Sequence, residues 1–361
     1  MRDGLDGVRE LVPGARLEFL ALLGSSSRSR VRRVRADSRT LIVKEFASLD
    51  EGWVRECAAL SVLPAEARAP RLIAAGAVPP TVVMSDVGSG ASVADALLGP
   101  DPVAAADAVV EWATSIAMLH RATTRSRNAF RNALDARAGG LPVADSKMSA
   151  GMEEAATTMA QQCAELGVDV PSGALDELRT LGTRLSDAGT AAMTPADACP
   201  DNNVFTADGL VLIDFEGAQW RHVAWDVAYL TVPWPSCWCS WRIPADVAER
   251  AMEAYRATFA GPDTDAAGFR RAVEAAAVGW GFASTGWFLP RALAEDRTRA
   301  DPDKPTPNLR AAILHRLDQA RRSADGAALA ELAARLHHTL SSRWGDLALP
   351  YAPAFERPET A

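Results

Sequence analysis

The chain has 361 residues, of which 48% are hydrophobic and 23% are charged, and its formal net charge is −8. This length allows two domains, or one large domain with a second lobe. The negative charge argues against a protein built mainly to bind nucleic acid, and we expect no membrane span because no apolar run approaches the ~20 residues that one needs.

The five cysteines show no spacing typical of a disulfide framework. We expect Cys237 and Cys239 to pack as small apolar groups, because no second Cys or His pair accompanies them as a metal site would require. The first residues include acids and no apolar segment, so no signal peptide is expected. Together these features indicate a cytoplasmic protein.

Residues 17–46 alternate in a β-like way and predict a meander of three strands, with a Gly/Ser loop between the first two. Lys44 lies in the third strand, within Thr40-Leu-Ile-Val-Lys-Glu-Phe46. The other lysines, Lys147 and Lys304, lie in polar surroundings, and Arg supplies the remaining basic side chains. A lysine here suggests a site that needs a compact charge, although a solvated edge strand would also explain it.

A helix is predicted over residues 50–63, with Asp50 as the N-cap and Glu56 in its interior. Two short apolar runs follow at 70–76 and 81–84, and Gly88-Ser-Gly90 then interrupts the pattern. Further predicted helices span 102–121, 147–166, 173–188, 245–259, 265–282, 307–322 and 327–344. The tail from residue 349 is expected to be extended or loose.

Between Asp197 and Asp214 the sequence predicts a site made of oxygen ligands. Asp208-Gly209 is a turn signal between two β-like runs, so a hairpin would fold Asp214 back toward the loop that carries Asp197 and Asn202. Two carboxylates close together favour a cation between them, and oxygen ligands without His or thiolate suit Mg²⁺. An ordinary Asx-rich turn with solvated carboxylates is the alternative.

The order of these features matches the set of motifs found in protein kinases. A β meander, a strand Lys, a helix Glu, a linker, helices and then Asp…Asn…Asp occur in the same sequence there. In that set the Lys binds phosphates and pairs with the Glu, while the later Asp and Asn act as base and metal ligand.

At these residues the chain resembles the aminoglycoside phosphotransferase and choline-kinase-like family, the small-molecule branch of the protein-kinase-like fold. The family pattern His-Gly-Asp-x-x-x-x-Asn corresponds to residues 195–202, and Ile-Asp-Phe-Glu corresponds to residues 213–216. The resemblance covers roughly residues 15–345, and it includes Asp226 as a structural residue. It implies an α+β fold with two lobes: a small N-terminal β-sheet lobe with one helix over residues 1–87, and a larger, mainly helical lobe over residues 88–361.

The resemblance also implies the roles of the site residues. Asp197 would be the catalytic base, and Asn202 and Asp214 the Mg²⁺ ligands. Glu216 would reach a second metal or serve as a simple cap. The residues expected to bind the nucleotide, ATP or GTP, are Lys44, Glu56, Ser25, Ser26, Ser85 and Val87.

Two positions depart from the family pattern. Pro195 stands where the family has His, which removes a side chain that fixes the loop, so activity would be retained or reduced. The phosphate loop, residues 24–29, has a single Gly and relies on serine backbone N–H groups.

These features predict a Mg²⁺-dependent kinase that phosphorylates a hydroxyl group of a small molecule, such as an antibiotic, a nucleoside or a sugar-like metabolite. The alternative is a catalytically degenerate kinase-like protein that binds nucleotide or ligand in a regulatory role. No nucleic-acid or membrane partner is expected, and the oligomeric state stays open.

Several other side chains have two interpretations. The arginines of residues 28–39 predict a solvated hairpin face, although one of them could touch a terminal phosphate. Trp234, Trp238 and Trp241 would form either a stacking floor for the acceptor or a packed loop. Trp280 and Trp287 are expected in the core.

Overall fold

The structure of the chain, a computed structural model, describes residues 5–185, 190–259, 266–294 and 305–356. Lys304, Asp265 and the predicted helix end at Ala188 therefore lie outside the described residues. Within the described part the chain folds into an N-terminal lobe built on an antiparallel sheet and a C-terminal lobe built mainly of helices.

The N-terminal lobe contains a five-stranded antiparallel sheet in the order β1-β2-β3-β5-β4. Its elements are α1 (Asp6–Leu11), β1 (Leu17–Ser25), β2 (Ser29–Ala36), β3 (Arg39–Phe46), α2 (Glu51–Val62), β4 (Leu72–Ala77) and β5 (Pro80–Ser85). The predicted meander and α2 are confirmed, including Asp50 as the N-cap that accepts from the N–H groups of Gly52 and Trp53. The short helix α1 is additional to the one helix that was predicted.

The two faces of the sheet have different partners because successive side chains alternate along a strand. Leu41 and Val43 of β3 lie in a small core with residues of α1. Phe46 of the same strand belongs to the large core that also contains α2. Lys44 lies on this second face, where it is directed toward α2 and the C-terminal lobe.

The C-terminal lobe contains ten described α-helices and two short hairpin-like pairs. The elements are α3 (Val93–Leu98), α4 (Pro102–Thr123), α5 (Arg127–Ala138), α6 (Met148–Leu166), α7 (Ala174–Arg184), β6 (Ala191–Thr194), β7 (Asn203–Thr206), β8 (Gly209–Leu212), β9 (Gln219–His222), α8 (Ala224–Val227), α9 (Ala245–Phe259), α10 (Ala266–Ala294), α11 (Leu309–Ser323) and α12 (Ala327–Trp344). Strand β6 pairs with β9, and β7 pairs with β8.

Two expectations about this lobe are wrong. Helix α10 does not end at Phe282 but continues through Pro290 to Ala294. Trp287 on that helix is 50% exposed rather than in the core, whereas Trp280 is buried. Helix α4 is long and apolar enough to cross a membrane by length and composition, but 56% of its most apolar 18-residue window is buried. It packs against α9 as a core helix of this lobe.

His222 of β9 is buried in its neutral form beneath the site described below. Its Nδ1 accepts from the N–H of Ala224 at 3.1 Å, so the ring proton lies on Nε2, which faces Thr190 Oγ1. Burial, aided by nearby His120, lowers the pKa of His222 to about 4. As the pH falls, the imidazole of His222 therefore takes up a proton near pH 6.5 in the unfolded chain, but only near pH 4 in the folded chain.

We expect the free energy of unfolding to fall as the pH drops from 6.5 toward 4, with His222 contributing about 1 kcal/mol per pH unit. The variant His222→Gln should show a shallower loss over this window in urea unfolding at pH 7, 6 and 5. His338 is exposed, so His338→Gln is the matched control and should keep the original slope. An unchanged slope in His222→Gln would show that this ring is not the titrating group.

Candidate active site

Lys44 lies at the centre of a cluster that joins the two lobes. Its Nζ is 2.8 Å from Oε2 of Glu56 on α2, 2.6 Å from Oδ1 of Asp214 and 2.9 Å from Oε2 of Glu216. The side chain of Lys44 is only 7% exposed. Strand β3, helix α2 and the segment after β8 therefore meet at one ammonium group.

The electrostatics of this cluster keep the lysine charged. Burial alone would lower the pKa of Lys44, but the carboxylates of Glu56, Asp214 and Glu216 together raise it above its ordinary value. Oxygen atoms of these three carboxylates lie within 4.8 Å of one another. The ammonium of Lys44 lies among them and balances part of their negative charge.

The predicted hairpin is confirmed and brings the Asp214 backbone to the Asn202 loop. Thr206 pairs with Gly209 across the Asp208-Gly209 turn, and the N–H of Ile213 donates to the carbonyl of Asn202 at 3.0 Å. The Asn202 side-chain N–H in turn donates to the carbonyl of Asp197 at 2.9 Å. The loop and the segment carrying Asp214 are thus locked side by side.

The donor set at this junction fits a hard divalent cation. With its amide N–H directed to the Asp197 carbonyl, Asn202 turns its side-chain oxygen away from that bond. Asp214 keeps 36% of its side chain exposed, so a second carboxylate oxygen can reach solvent or a ligand beside Lys44. Amide and carboxylate oxygens are the ligands that Mg²⁺ uses beside nucleotide phosphates.

Asp197 is half-buried at the junction of the loop and the segment that contains the tryptophans. Its Oδ1 accepts from Ser236 Oγ at 2.8 Å and lies 3.0 Å from the sulfur of Cys199. Burial, with the negative charge of Asp214 in addition, raises the pKa of Asp197 although the Ser236 hydrogen bond opposes the shift. The carboxylate is thus a stronger base than a solvated aspartate.

The loop backbone beside Asp197 is held from below by a buried ion pair. Ala196 has φ +65°, a left-handed conformation that is unfavourable for a residue with a Cβ. Its carbonyl accepts from Arg221 Nη2 at 3.2 Å and from the Tyr229 hydroxyl at 3.4 Å. These two contacts fix a backbone that Pro195, at the family's His position, cannot fix with its own side chain.

Arg221 is itself held by Asp226, to which it is ion-paired in the interior. His120 Nε2 lies 3.0 Å from the other oxygen of Asp226, and His120 Nδ1 contacts the Tyr255 hydroxyl. Although burial opposes the charged form of Asp226, Arg221 and His120 lower its pKa below its ordinary value. The predicted structural Asp is thus a charged carboxylate that positions Arg221.

The expectation that the cysteines form no disulfide is wrong for Cys199 and Cys237. Cys199 and Cys237 form a disulfide, with their Cα atoms 6.0 Å apart and a sequence separation of 38 residues. The pairing escaped the sequence analysis because the two residues come together only when the segment after Asp226 folds over the loop. The bond joins this segment to the loop two residues beyond Asp197.

Ser25 is the last residue of β1, and Ser26 begins the turn to β2, which is the expected phosphate loop. Ser26 Oγ accepts from the N–H groups of Arg28 and Ser29, so this hydroxyl stabilises the turn itself. Arg28, which is 78% exposed, reaches Glu216 at 3.0 Å. The turn therefore lies over the Lys44 cluster and closes one side of it with a cation.

The residues expected to contact the nucleotide base lie at the end of β5 and in the linker after it. The N–H of Ser85 donates to the carbonyl of Arg71 at 2.9 Å, and Ser85 Oγ accepts from the N–H of Arg71. The Ser85 N–H is thus engaged within the sheet. Val87 follows in the linker between the lobes and is half-buried.

The tryptophans after Asp226 divide into two groups. Trp234 and Trp241 are buried, so for them the packed-loop interpretation is correct. Trp238 is only partly buried, and its indole N–H donates to Asp201 Oδ2 at 2.7 Å. Trp238 thus lies against the loop between Asp197 and Asn202.

Arg221 and Ser236 were missed by the sequence analysis. Arg221 lies in a four-residue strand that is buried throughout, but its strand neighbours include the polar residues Gln219 and His222, so the sequence gives no sign of this burial. Ser236 carries no signal either, because a serine between prolines and tryptophans has no distinguishing pattern.

Comparison with known proteins identifies the fold. No protein-family model and no curated sequence matches the chain. A choline/ethanolamine kinase family protein from Mesorhizobium loti superposes with a TM-score of 0.51 and 16% identity, over 90% of this chain and 93% of that chain. Choline kinase from Cryptosporidium parvum gives 0.52 and 13%, over 92% and 98%.

A third solved structure, a putative aminoglycoside phosphotransferase from Ralstonia eutropha, gives a TM-score of 0.52 and 13% identity over 93% of this chain and 96% of that chain. At such identities the likeness shows the fold alone. The chain has the two-lobed protein-kinase-like fold in the form shared by these small-molecule kinases, and the expected fold class is confirmed.

Replacing Arg221 by Met should destabilise the protein by about 3–5 kcal/mol, because it leaves the buried Asp226 without its cationic partner. The double variant Arg221→Met/Asp226→Asn should recover part of this loss in urea unfolding. Arg179→Met, which removes an exposed ion pair to Glu153, is the control and should change stability far less. Equal losses of stability in Arg221→Met and Arg179→Met would contradict a structural role for the Arg221–Asp226 pair.

Proposed function

We propose that the chain is a Mg²⁺-dependent phosphotransferase that moves the γ-phosphoryl group of ATP, or of GTP, to a hydroxyl group of a small molecule. The observation that carries this proposal is the 2.6 Å contact between Lys44 Nζ and Asp214. In this contact a buried ammonium group of the N-terminal lobe meets the carboxylate of a proposed Mg²⁺ ligand from the C-terminal lobe. Phosphoryl transfer depends on such a fixed arrangement of charge.

Lys44 would bind phosphate oxygens of the nucleotide, and Glu56, on the neighbouring turn of α2, would hold its ammonium in place. Binding of a triphosphate would substitute phosphate oxygens for some of the carboxylates that now surround Lys44. Arg28, at the mouth of the same cluster, carries a second positive charge suited to the terminal phosphates.

Asp197 would accept a hydrogen bond from the acceptor hydroxyl and orient it toward the γ-phosphorus. Asn202 and Asp214 would hold Mg²⁺. When bound, this ion neutralises charge on the phosphate oxygens. The bonds from Ile213 to Asn202 and from Asn202 to Asp197 support this division of roles, because they keep base and metal ligands in fixed relation.

The nucleotide base would lie near the linker that contains Ser85 and Val87, and the β1–β2 turn with Ser25 and Ser26 would cover the phosphates. Because the Ser85 N–H is bonded to Arg71, contacts to the base would come from the linker beyond it. A cytoplasmic location, where nucleotide triphosphate is abundant, belongs to the same proposal.

The acceptor would be an alcohol such as an antibiotic, a nucleoside, a sugar-like metabolite or an amino alcohol. The named activities of the superposed structures, choline, ethanolamine and aminoglycoside phosphorylation, support this range. The direct test is a screen of such compounds for an ATP-dependent mass gain of one phosphate. A role in antibiotic resistance would follow if aminoglycosides are the compounds modified.

The second candidate is a catalytically degenerate kinase-like protein that binds nucleotide in a regulatory role. Pro195, where the resemblance would place a His, favours it, as does Ser236, whose hydroxyl already donates to one oxygen of the proposed base, Asp197 Oδ1. Thermal stabilisation by Mg²⁺·ATP without turnover of any acceptor would support this candidate over the enzyme.

Asp197→Asn should lower the turnover number by roughly 10²- to 10⁴-fold, because the amide cannot take the hydroxyl proton. Nucleotide affinity, measured by titration calorimetry, should stay within a few-fold of the parent value. Asp208→Asn changes an exposed aspartate at the hairpin turn and should leave both quantities unaltered. Full turnover in Asp197→Asn would remove the base assignment.

Asp214→Asn should abolish the part of the ATP-induced rise in melting temperature that requires Mg²⁺. The reason is that the variant loses the one charged ligand of the pair formed with Asn202. The measurement is thermal unfolding with ATP in the presence and absence of Mg²⁺, again beside Asp208→Asn. If the Mg²⁺-dependent increment survives in Asp214→Asn, the metal lies elsewhere.

A further inference from the structure

The disulfide between Cys199 and Cys237 lies beside Asp197, the proposed catalytic base. Cys199 follows Asp197 by two residues, and Cys237 belongs to the segment 231–241, here called the tryptophan segment. The Cα separation of 6.0 Å is within the range of ordinary disulfides. Cys199 is 4% exposed and Cys237 is 8% exposed.

Ser236, the residue before Cys237, is hydrogen-bonded to Asp197, the candidate base. Ser236 Oγ is 2.8 Å from Asp197 Oδ1 and 2.8 Å from the Tyr229 hydroxyl. An acceptor hydroxyl must reach the carboxylate of Asp197 to be oriented for attack. With the disulfide closed, the adjacent serine holds a hydroxyl on Oδ1 of this carboxylate, beside the place that an acceptor would take.

The ends of the tryptophan segment are anchored independently of the disulfide. Trp234 is fully buried and contacts Trp112 edge to face, with ring centroids 5.1 Å apart. Trp241 is also buried. Between these anchors the Cys237 N–H donates to the Trp234 carbonyl, and the Cys237 carbonyl accepts from Ser240 Oγ. Opening the disulfide would therefore remove the covalent link to Cys199 and leave the stretch around Ser236 held by hydrogen bonds alone.

We propose that Cys199 and Cys237 form a reversible redox modification site that controls access of the acceptor to Asp197. The proposal rests on the phosphotransferase function proposed above. In the disulfide form Ser236 is fixed on Asp197 and the enzyme is slow. In the dithiol form Ser236 is held only by hydrogen bonds, which a bound acceptor can replace.

The chemistry is thiol–disulfide exchange with a small disulfide such as oxidised glutathione. The thiolate of one cysteine attacks a sulfur of the oxidant, releases one thiol and forms a mixed disulfide. The thiolate of the other cysteine then attacks the protein sulfur, which closes the Cys199–Cys237 bond and releases the second thiol. The protein loses two electrons and two protons, and a reducing dithiol reverses the reaction.

The reduced form also changes the hydrogen bonding of the base. Cys199 Sγ lies 3.0 Å from Asp197 Oδ1, so a thiol there can donate to the carboxylate, whereas a disulfide sulfur has no proton to donate. Reduction thus replaces the fixed Ser236 hydroxyl, as hydrogen-bond donor to Asp197, by the more weakly donating thiol of Cys199. In a reducing cytoplasm, disulfides that do form are usually transient and redox-sensing, which fits a reversible bond at this position.

A metal site is the rival interpretation of these cysteines. Cys237, Cys239 and Asp201 place ligand atoms within 4.8 Å of one another, and so do Cys199, Cys237 and Asp197. Thiolates with a carboxylate would suit zinc. The two interpretations differ in the agent to which they respond, because zinc is removed by a chelator and a disulfide is opened by a reductant.

The first measurement needs no enzymatic activity. The full chain is equilibrated in glutathione buffers of increasing oxidation, then unfolded and alkylated with iodoacetamide. The five cysteines should all be labelled in the reduced protein, and Cys57, Cys163 and Cys239 alone in the oxidised protein. Peptide mapping should find the cross-link between Cys199 and Cys237. Five labelled cysteines under oxidising conditions, or metal that only a chelator releases, would overturn the proposal.

The second measurement is turnover with Mg²⁺·ATP and an acceptor from the screen, expressed as the ratio of reduced to oxidised protein. We expect a ratio on the order of 100, at the low end of what a positioned general base contributes. Cys237→Ser should give a ratio of one. Cys239→Ser replaces the neighbouring buried cysteine outside the pair and should keep the parent ratio.

The outcomes separate the two proposals. A parent ratio near one, in a protein whose turnover depends on Asp197, overturns the redox control and leaves the phosphotransferase standing. If the protein forms the cross-link but phosphorylates no acceptor in either redox state, the proposed phosphotransferase function is wrong. The proposed redox control of that function is then wrong as well.

Discussion

The ammonium of Lys44 is the interaction on which the arrangement of the two lobes depends. It lies on β3 of the N-terminal sheet and binds carboxylates from α2 and from the segment after β8. Burying one positive charge among three acidic groups is favourable only where their spacing is fixed, since each unpaired charge would cost several kcal/mol. Glu56 adds to this by accepting from the N–H of Phe215 at 3.3 Å, which ties α2 to the backbone next to Asp214. The cleft is therefore pre-assembled around a cation, which the proposed nucleotide would share.

A second buried charge supports the other half of the site. Asp226 binds Arg221 and His120, and Arg221 carries that support to the carbonyl of Ala196, one residue before Asp197. The loop needs this support because Ala196 is in a left-handed conformation and Pro195 contributes no polar side chain. A strained loop persists only where its surroundings over-determine it. Thus the change at Pro195 does not leave the loop loose, because a neighbouring strand supplies the contact that the loop's own side chain lacks.

Sequence reasoning succeeded where short-range patterns decide the structure. The meander around Lys44, the Asp50 cap of α2 and the Asp208-Gly209 hairpin each depend on residues a few positions apart, as do the helix bounds at residues 245–259 and 327–344. It failed where distant segments meet. The four-residue strands β6 and β9 are too short for a periodic signal, and the Cys199–Cys237 pair forms only after the chain has turned back on itself. Trp287 was misplaced because an apolar side chain at a helical spacing does not reveal whether a neighbouring helix covers it.

The environment of Asp197 explains why the motif alone cannot define the acceptor. One oxygen of this carboxylate already has Ser236 and Cys199 as neighbours, both from residues that no kinase motif includes. In the proposed function, an acceptor would share this carboxylate with Ser236 and lie beside the tryptophan segment, including Trp238, which is bound to Asp201. The charged groups that would bind phosphate are common to many small-molecule kinases, since every such enzyme handles the same triphosphate. In that proposal the choice of alcohol would depend on the segment from 231 to 241, which is positioned by the Cys199–Cys237 bond and by the burial of Trp234 and Trp241.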